Sequence, residues 1–257
     1  MHKITLGAAS RNRPDRMSSA INNWISRSAD KERIEIIISI DEDDPTLDSY
    51  KSIIEKDSNN LGIDIKLLIN KNTNTVQAIN RIKDVFTGDI IIIFSDDTDC
   101  FLEWDNAVDV IYSKMPGSYI IKTNDGVNKD LITMPIFTKS YLSNKQWIYY
   151  PGYNHMFCDT ELTCIAYMED KVIDANHLEF THLHYTQGYS EKDYVDIKNQ
   201  DTFYDGFNIF MKRISKNFHL PDNLSKTKIP SSILEWIEEN HKDLPDEESG
   251  EEELFME

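Results

Sequence analysis

The chain has 257 residues, of which 40% are hydrophobic and 11% aromatic, so it can bury a full core in one large or two small domains. It carries 27 Lys and Arg residues against 45 Asp and Glu residues, for a formal charge of -18. A chain this acidic has no general electrostatic surface for nucleic acid or for an anionic membrane. Non-specific binding to duplex nucleic acid is therefore disfavoured.

The three cysteines, Cys100, Cys158 and Cys164, form no CxxC pair, so neither a disulfide framework nor a zinc knuckle is indicated. A stretch of about 18 apolar residues, which a membrane-spanning helix needs, is missing, and the first residues lead directly into a strand. These features predict a cytoplasmic protein without stable membrane insertion.

Strands and helices alternate through the first half of the chain. Hydrophobic periodicity predicts strands at 4–8, 34–40, 63–69 and 90–94, and helices at 16–28, around Tyr50 and at 75–86. This spacing is typical of βαβ units, and it predicts a Rossmann-like, mostly parallel central sheet flanked by helices. The glycine-rich sequences GxGxxG and GxxxxGK[ST] do not occur, so phosphates would have to be held in another way, with a metal as the obvious candidate.

An acidic cluster follows the predicted fourth strand. Residues 90–94 are four isoleucines and a phenylalanine, which indicate a strand buried on both faces, and Asp96, Asp97 and Asp99 come after it. Ligands of open α/β sheets gather at the carboxyl ends of such strands, and abutting carboxylates repel one another unless a cation relieves them. Carboxylates suit Mg2+ and Mn2+, which commonly bridge nucleotide phosphates. The cluster therefore predicts a metal-dependent enzyme that acts on a nucleotide.

The second half of the chain has a less regular pattern. Helices are predicted from Trp104 to 115, at 159–168, over 191–217 and at 233–237, with strands at 119–122 and 172–173 and an apolar run at 131–137. Residues 243–257 carry eight acids and no Lys or Arg. Such a tail has too few apolar residues to pack, so we expect it to be disordered.

Polar motifs follow the predicted strands in a fixed order. They are Asn12-Arg13-Pro14, Asp41, Asn72-Thr73-Asn74, Ala78-Ile79-Asn80-Arg81, Ser95-Asp96-Asp97, Trp104-Asp105, Asp159-Thr160-Glu161 and His182-Leu183-His184. This order resembles that of family 2-like glycosyltransferases of the GT-A fold, most of all the small stand-alone enzymes of bacteriophage and bacterial polysaccharide loci. The likeness covers roughly residues 3–215.

The resemblance implies a domain organisation. A GT-A domain would occupy 1–220, with a donor-binding half at 1–125 and an acceptor and catalytic half at 126–220. A C-terminal helical extension at 221–242 and the acidic tail would follow it. If the chain is phage-encoded, the host cytoplasm would be its location.

For the donor, the resemblance implies a nucleoside-diphosphate sugar, with a UDP-sugar as the first choice. Arg13 and Asp41 would flank the nucleotide base, while Asn74 and Arg81 would line the donor cleft. Asp96 would face the ribose or the metal. Arg13 also fits a plain helix start, and Asp41 also fits a cap for the next helix.

For the metal, Mn2+ or Mg2+, the resemblance implies that Asp97 is a ligand and that His182 or His184 completes the shell. Asp99 offers a competing register, Asp97-Thr98-Asp99, and the sequence leaves that choice open. The two histidines share one side of an extended segment, where one of them also fits a packing role.

For catalysis, the resemblance implies an inverting transfer in which a carboxylate takes the proton of the acceptor hydroxyl. Asp159 is the first candidate for this general base and Glu161 is the second. Both residues also fit a purely structural role, because acids are favoured in the first turn of a helix.

Two other functions fit the same acids. One is a metal-dependent nucleotidyltransferase or phosphohydrolase, and the other is a non-catalytic module that binds sugar nucleotides. The acceptor also stays open, since a glycan and a hydroxylated base of phage DNA are both compatible with the sequence.

Overall fold

A computed structural model describes residues 1–183, 188 and 193–241. Within these ranges seven strands form one sheet: β1 (Ile4–Ser10), β2 (Ile34–Asp41), β3 (Ile65–Asn70), β4 (Ile90–Ile93), β5 (Ile120–Asn124), β6 (Ile136–Thr138) and β7 (Val172–Glu179). The strand order is β3-β2-β1-β4-β6-β5-β7, in which β6 runs antiparallel to both neighbours and every other pair is parallel.

Helices cover both faces of this sheet. They are α1 (Pro14–Ser26), α2 (Leu47–Leu61), α3 (Thr75–Ile82), α4 (Trp104–Lys114), α5 (Lys139–Ser143), α6 (Cys158–Met168), α7 (Tyr194–Gln200), α8 (Phe203–Ser215) and α9 (Ser231–His241). The predicted α/β fold, a mostly parallel sheet flanked by helices, is confirmed. None of the helices in the described ranges has the length and apolarity needed to cross a membrane.

Two apolar layers form the core, one on each face of the sheet. All four residues of β4 are buried, and they alternate between the layers. One layer contains Trp24 of α1 and Trp104 of α4, with side chains of α2. The other contains side chains of α3, α5, α6, α8 and α9. Because α9 packs into this second layer, the C-terminal helix rests on the same sheet as the rest of the chain.

The second half of the chain differs in detail from the pattern. Only residues 136–138 of the apolar run form a strand, and the predicted helix at 191–217 is two helices, α7 and α8. The short predicted strand at 172–173 extends to Glu179 because it pairs with β5. Pairing with β5, and not local propensity, therefore explains the length of β7. The acidic tail lies outside the described residues.

Gly206 shows how closely α8 packs. A Cβ atom at this position would lie 2.5 Å from the carbonyl oxygen of Met156 and 3.1 Å from the ring of Phe157. A backbone oxygen cannot move aside as easily as the end of a flexible side chain, so the missing side chain of Gly206 allows α8 to approach the segment that leads into α6.

Replacing Gly206 by Ala should destabilise the protein by about 1 to 3 kcal/mol, as overpacking does. Helix propensity alone would favour Ala by about 1 kcal/mol. The sign of the change in the free energy of unfolding therefore shows whether packing or propensity dominates. Asn208→Ala, on the exposed side of the same helix, is the control and should stay within about 0.5 kcal/mol. Urea unfolding measures both variants, and a Gly206→Ala protein as stable as the parent would contradict the packing account.

Candidate functional site

The carboxyl ends of the parallel strands bring the predicted motifs to one edge of the sheet. Asp41 ends β2, Asp96 and Asp97 follow β4, and Asp125 follows β5. His182 comes three residues after β7, which runs parallel to β5. The sheet therefore collects residues from both halves of the chain on the edge where open α/β proteins bind ligands.

The start of α1 positions Arg13. Asn12 lies in the left-handed region with φ 57°, a conformation that asparagine tolerates better than most residues. Its backbone N–H donates to Asp44 Oδ2 at 2.8 Å, and the N–H of Arg13 donates to Tyr50 OH at 3.0 Å. Pro14 then begins the helix. Contacts with the β2–α2 region thus fix the direction in which α1 starts.

Asp96 is buried beside two guanidinium groups. Its side chain is 7% exposed, and its Oδ1 lies 3.5 Å from Arg13 Nη1 and 4.0 Å from Arg16 Nη2. Burial raises the pKa of Asp96 to about 6, because these two cations offset only part of the desolvation and the charge of Asp97 adds to it. This carboxylate is therefore held in its charged form at a cost.

At Asp97 the neighbouring groups outweigh burial, so its pKa moves in the opposite direction from that of Asp96. His182 Nε2 lies 3.4 Å from Asp97 Oδ2, and the hydroxyl of Ser95 donates to Asp97 Oδ1. Burial opposes its ionisation, but the hydrogen bonds from His182 and Ser95 and the charge of Arg16 outweigh burial, so the pKa of Asp97 lies well below its usual range. Burial alone would lower the pKa of His182, because it disfavours the charged imidazole. The hydrogen bond and the charge of Asp97 act in the other direction, and the pKa of His182 is raised.

Backbone contacts hold His182 against the loop after β4. Thr98 and His182 form an antiparallel bridge, and the N–H of Leu183 donates to the carbonyl of Asp97 at 2.7 Å. The N–H of His182 donates to the carbonyl of Asp125 at 3.0 Å. We call this set of contacts the His182 clasp. It fixes an imidazole beside a carboxylate without relying on either side chain.

The pair of Asp97 and His182 fits a divalent cation that is shared with a substrate. One carboxylate and one imidazole are ligands for Mn2+ or Mg2+, and such ions often take the rest of their shell from phosphates and water. Across 1–183 and 193–241, no three Asp, Glu, His or Cys side chains converge closely enough to hold a metal by themselves. His184, the other predicted histidine ligand, lies outside the described residues.

The structure places Asp99 against the C-terminal end of α1. Its Oδ1 accepts hydrogen bonds from Arg27, from Asn23 and from the N–H of Cys100. Burial raises the pKa of Asp99, but Arg27 and Asn23 lower it by more. Among the described residues, Asp99 contacts neither Asp97 nor His182 through its side chain, so the register of Asp96 and Asp97 is the one that the fold brings to His182.

Asp159 lies in the first turn of α6, partly buried. Its Oδ1 accepts from the N–H of Thr160 at 2.8 Å. Burial raises the pKa of Asp159, and the charge of Asp125 raises it further. Asp159 also contributes to the raised pKa of His182, so the α6 terminus and the clasped histidine are electrostatic neighbours.

Glu161 has a different environment. It is 2% exposed and accepts two hydrogen bonds from Arg213, at 2.7 and 2.8 Å, and a third from Tyr153 OH at 2.8 Å. The guanidinium of Arg213 in turn stacks on Tyr150, 3.4 Å from the ring centroid. Glu161 therefore links α6 to α8 through Arg213.

A second network lies at the ends of β2 and β3. Asp41 accepts from Arg11 Nη1 at 2.6 Å and from Asn72 Nδ2 at 2.8 Å, and Arg81 Nε donates to Asn72 Oδ1 at 2.6 Å. Asn74 caps α3 through its side chain. Asp41 and Arg81 are thus linked through one asparagine, as residues of one cleft would be. Arg11 is the arginine that meets Asp41.

Sequence reasoning missed three residues of the Asp96 site. Arg16 lies one helical turn after Arg13 in α1, so its helical spacing was an available signal. Asp125 also had a signal in the sequence, because it follows a predicted strand. Asp193 binds Arg13 across 180 residues of sequence, and no local pattern indicates such a contact.

No protein-family model matches the sequence, and no curated protein matches it in sequence. Similar solved structures do exist. S. aureus TarS 1-349 in complex with UDP-GlcNAc superposes with a TM-score of 0.69 at 14% identity, covering 94% of this chain and 73% of that one. The chain shares its fold with this structure.

Two further solved structures have a similar fold. The mannosyltransferase PcManGT from Pyrobaculum calidifontis, in complex with GDP-Man and Mn2+, has a TM-score of 0.58 at 11% identity over 73% of this chain. A longer S. aureus TarS chain gives 0.66 at 12% identity over 95% of this chain. This chain spans 59% of the mannosyltransferase and 44% of the longer TarS chain.

Asp96→Asn and Asp97→Asn should change stability in opposite directions. The raised pKa of Asp96 means that stability falls as pH rises from about 4 to about 6, because the folded state keeps a proton that the unfolded state has lost. Removing this charge should stabilise the protein by on the order of 2 kcal/mol at neutral pH, with no difference near pH 4. Asp97 has a lowered pKa, so its contribution is present at neutral pH and is lost on acidification.

Urea unfolding at several pH values, with a chelator present, tests this pair. Asp97→Asn should be less stable than the parent at neutral pH and approach it in acid. If both variants shift stability in the same direction at neutral pH, it is wrong that neighbouring groups outweigh burial at Asp97 but not at Asp96.

Proposed function

We propose that this protein is an inverting, metal-dependent glycosyltransferase that moves a sugar from a nucleoside-diphosphate sugar to a hydroxyl acceptor. The observation that carries this proposal is the Asp96 and Asp97 pair at the end of β4, clasped by His182. The fold is shared with a mannosyltransferase in complex with GDP-Man and Mn2+ and with S. aureus TarS in complex with UDP-GlcNAc, which supports sugar transfer from a nucleotide sugar here.

Asp97 and His182 would hold the cation, with His184 as a further candidate ligand. When bound, Mn2+ or Mg2+ neutralises the diphosphate that leaves as the glycosidic bond breaks. Asp97 stays ionised across the neutral range because its pKa is depressed, and His182 would give up its proton when the two side chains bind a cation. Asp96, beside it, would face the ribose or the same ion.

Asp159 would act as the general base. An acceptor hydroxyl must lose its proton as its oxygen attacks the anomeric carbon, and a carboxylate within hydrogen-bond distance accepts that proton. Burial raises the pKa of Asp159, which makes it a stronger proton acceptor than an exposed Asp. Attack from the face opposite the leaving nucleotide inverts the anomeric configuration in one step.

Asp41 would flank the nucleotide base, and Asn74 and Arg81 would line the donor cleft. Both Asp41 oxygens already accept one hydrogen bond, from Arg11 and from Asn72, and each keeps a lone pair for a base N–H. A UDP-sugar is the proposed donor. The proposed acceptor is a glycan or a hydroxylated DNA base, and the proposed location is the cytoplasm, as for a family 2-like enzyme of phage or bacterial type.

Donor binding should depend on Asp97 and not on Asp99. We expect Asp97→Asn to abolish metal-dependent binding of UDP, and of whichever sugar nucleotide turns over in a panel of UDP-, GDP- and dTDP-sugars. Asp99→Asn, a matched acid of the same loop, should retain binding within about threefold. Calorimetric titration with Mn2+, and again with excess chelator, measures both variants.

The results of that screen separate the candidate functions. Release of pyrophosphate or phosphate without sugar transfer would replace this proposal with the nucleotidyltransferase or phosphohydrolase. Binding without turnover would favour a non-catalytic module. Loss of binding in Asp99→Asn with retention in Asp97→Asn would move the metal to the other register.

Substitutions of the two acids of α6 should have different effects on kcat. Asp159→Asn should lower kcat by about 10^2 to 10^4, as loss of a general base does, and leave donor affinity unchanged. Glu161→Gln should lower thermal stability, because Arg213 loses a buried charged partner, but it should keep most of the kcat. A full loss of turnover in a folded Glu161→Gln protein, with activity in Asp159→Asn, would exchange their roles.

A further inference from the structure

Two arginines at the start of α1, the N-cap residue Arg13 and Arg16, converge on the carboxylate of the distant residue Asp193. Arg13 donates to both oxygens of Asp193, at 2.7 Å from Nε and 2.5 Å from Nη2. Arg16 Nη1 lies 3.5 Å from Asp193 Oδ2. This fork geometry is the one in which arginine binds carboxylates and phosphates alike.

The same two arginines border the acidic pair after β4. Arg13 lies 3.5 Å from Asp96, and Arg16 lies 4.0 Å from Asp96 and 3.9 Å from Asp97. An anion bound between the arginines therefore lies beside the carboxylates that would share a cation with the donor diphosphate.

Asp193 is a third carboxylate beside the two arginines, after Asp96 and Asp97, in the described part of the chain. Its charge contributes to raising the pKa of Asp96, so the three acids oppose one another. Asp193 is also 38% exposed, whereas Arg13 is 11% exposed, so the carboxylate is the partner with access to solvent.

We propose that Arg13 and Arg16 form a binding site for the donor diphosphate, and that the Asp193 carboxylate occupies this site until the diphosphate replaces it. The proposal rests on the proposed function and adds to it a pair of phosphate-binding residues and a competing internal anion. It also changes the role of Arg13, from a contact of the nucleotide base to a contact of the phosphates.

Charge explains why the diphosphate would replace the Asp193 carboxylate. A diphosphate brings more negative charge and more acceptor oxygens than one carboxylate, and it arrives with a cation that relieves Asp96 and Asp97. A competitor that occupies the site most of the time lowers the apparent affinity in proportion to the fraction of free sites. Removing the Asp193 charge should therefore increase affinity for the diphosphate.

The test uses inorganic pyrophosphate and UDP as probes, each with Mg2+, in calorimetric titrations at low ionic strength. Asp193→Asn and Asp193→Ala should each bind pyrophosphate about 3- to 10-fold more tightly than the parent. Arg16→Gln should bind it about tenfold more weakly. Asp15→Asn, an acid of α1 next to Arg16, is the control for general charge and should leave affinity unchanged.

Three results would overturn the proposal: unchanged or weaker pyrophosphate binding in both Asp193 variants, unchanged binding in Arg16→Gln, or tightening by Asp15→Asn equal to that of Asp193→Asn. Thermal unfolding of each variant confirms that a folded protein is compared. If the pyrophosphate pattern holds and no sugar is transferred from any donor, the proposed function fails and the anion site stands. If transfer occurs and the pattern is missing, this inference alone fails.

Discussion

The burial of two adjacent carboxylates at the end of β4 is the constraint on which the rest of the site depends. Buried carboxylates require cations, and here the cations come from Arg13 and Arg16 at the start of α1 and from His182 after β7. Because the imidazole sits on one acid and not the other, the two neighbours have pKa values that move in opposite directions. One acid is kept ionised by its histidine partner, and the other carries the unrelieved cost of burial.

The sheet topology makes this neutralisation feasible. β6 runs antiparallel between β4 and β5, so β5 and β7 return to the direction of β4, and their ends meet the same edge of the sheet. The His182 clasp then fixes the segment after β7 to the loop after β4 by backbone hydrogen bonds. An imidazole from late in the chain thereby reaches an acid from its first half.

Much of this arrangement could be predicted from the sequence. The isoleucine run and the acids after it gave the buried strand and the position of the acidic pair, since apolar runs and strand ends have local signatures. Asp159 and Glu161 show where such reasoning stops. Two positions apart on a helix, they point about 200° from each other, and only the packing of α8 shows that Glu161 faces Arg213.

Periodicity within short windows was enough to predict the alternation of strands and helices, the fold class and the strand ends at which polar residues gather. The pairing of acids with cations is seen only in the folded chain: Arg11 with Asp41, Asp99 with Arg27, and Arg13 with an aspartate 180 residues away. Such pairs depend on how helices pack on the sheet, and no local pattern records that packing.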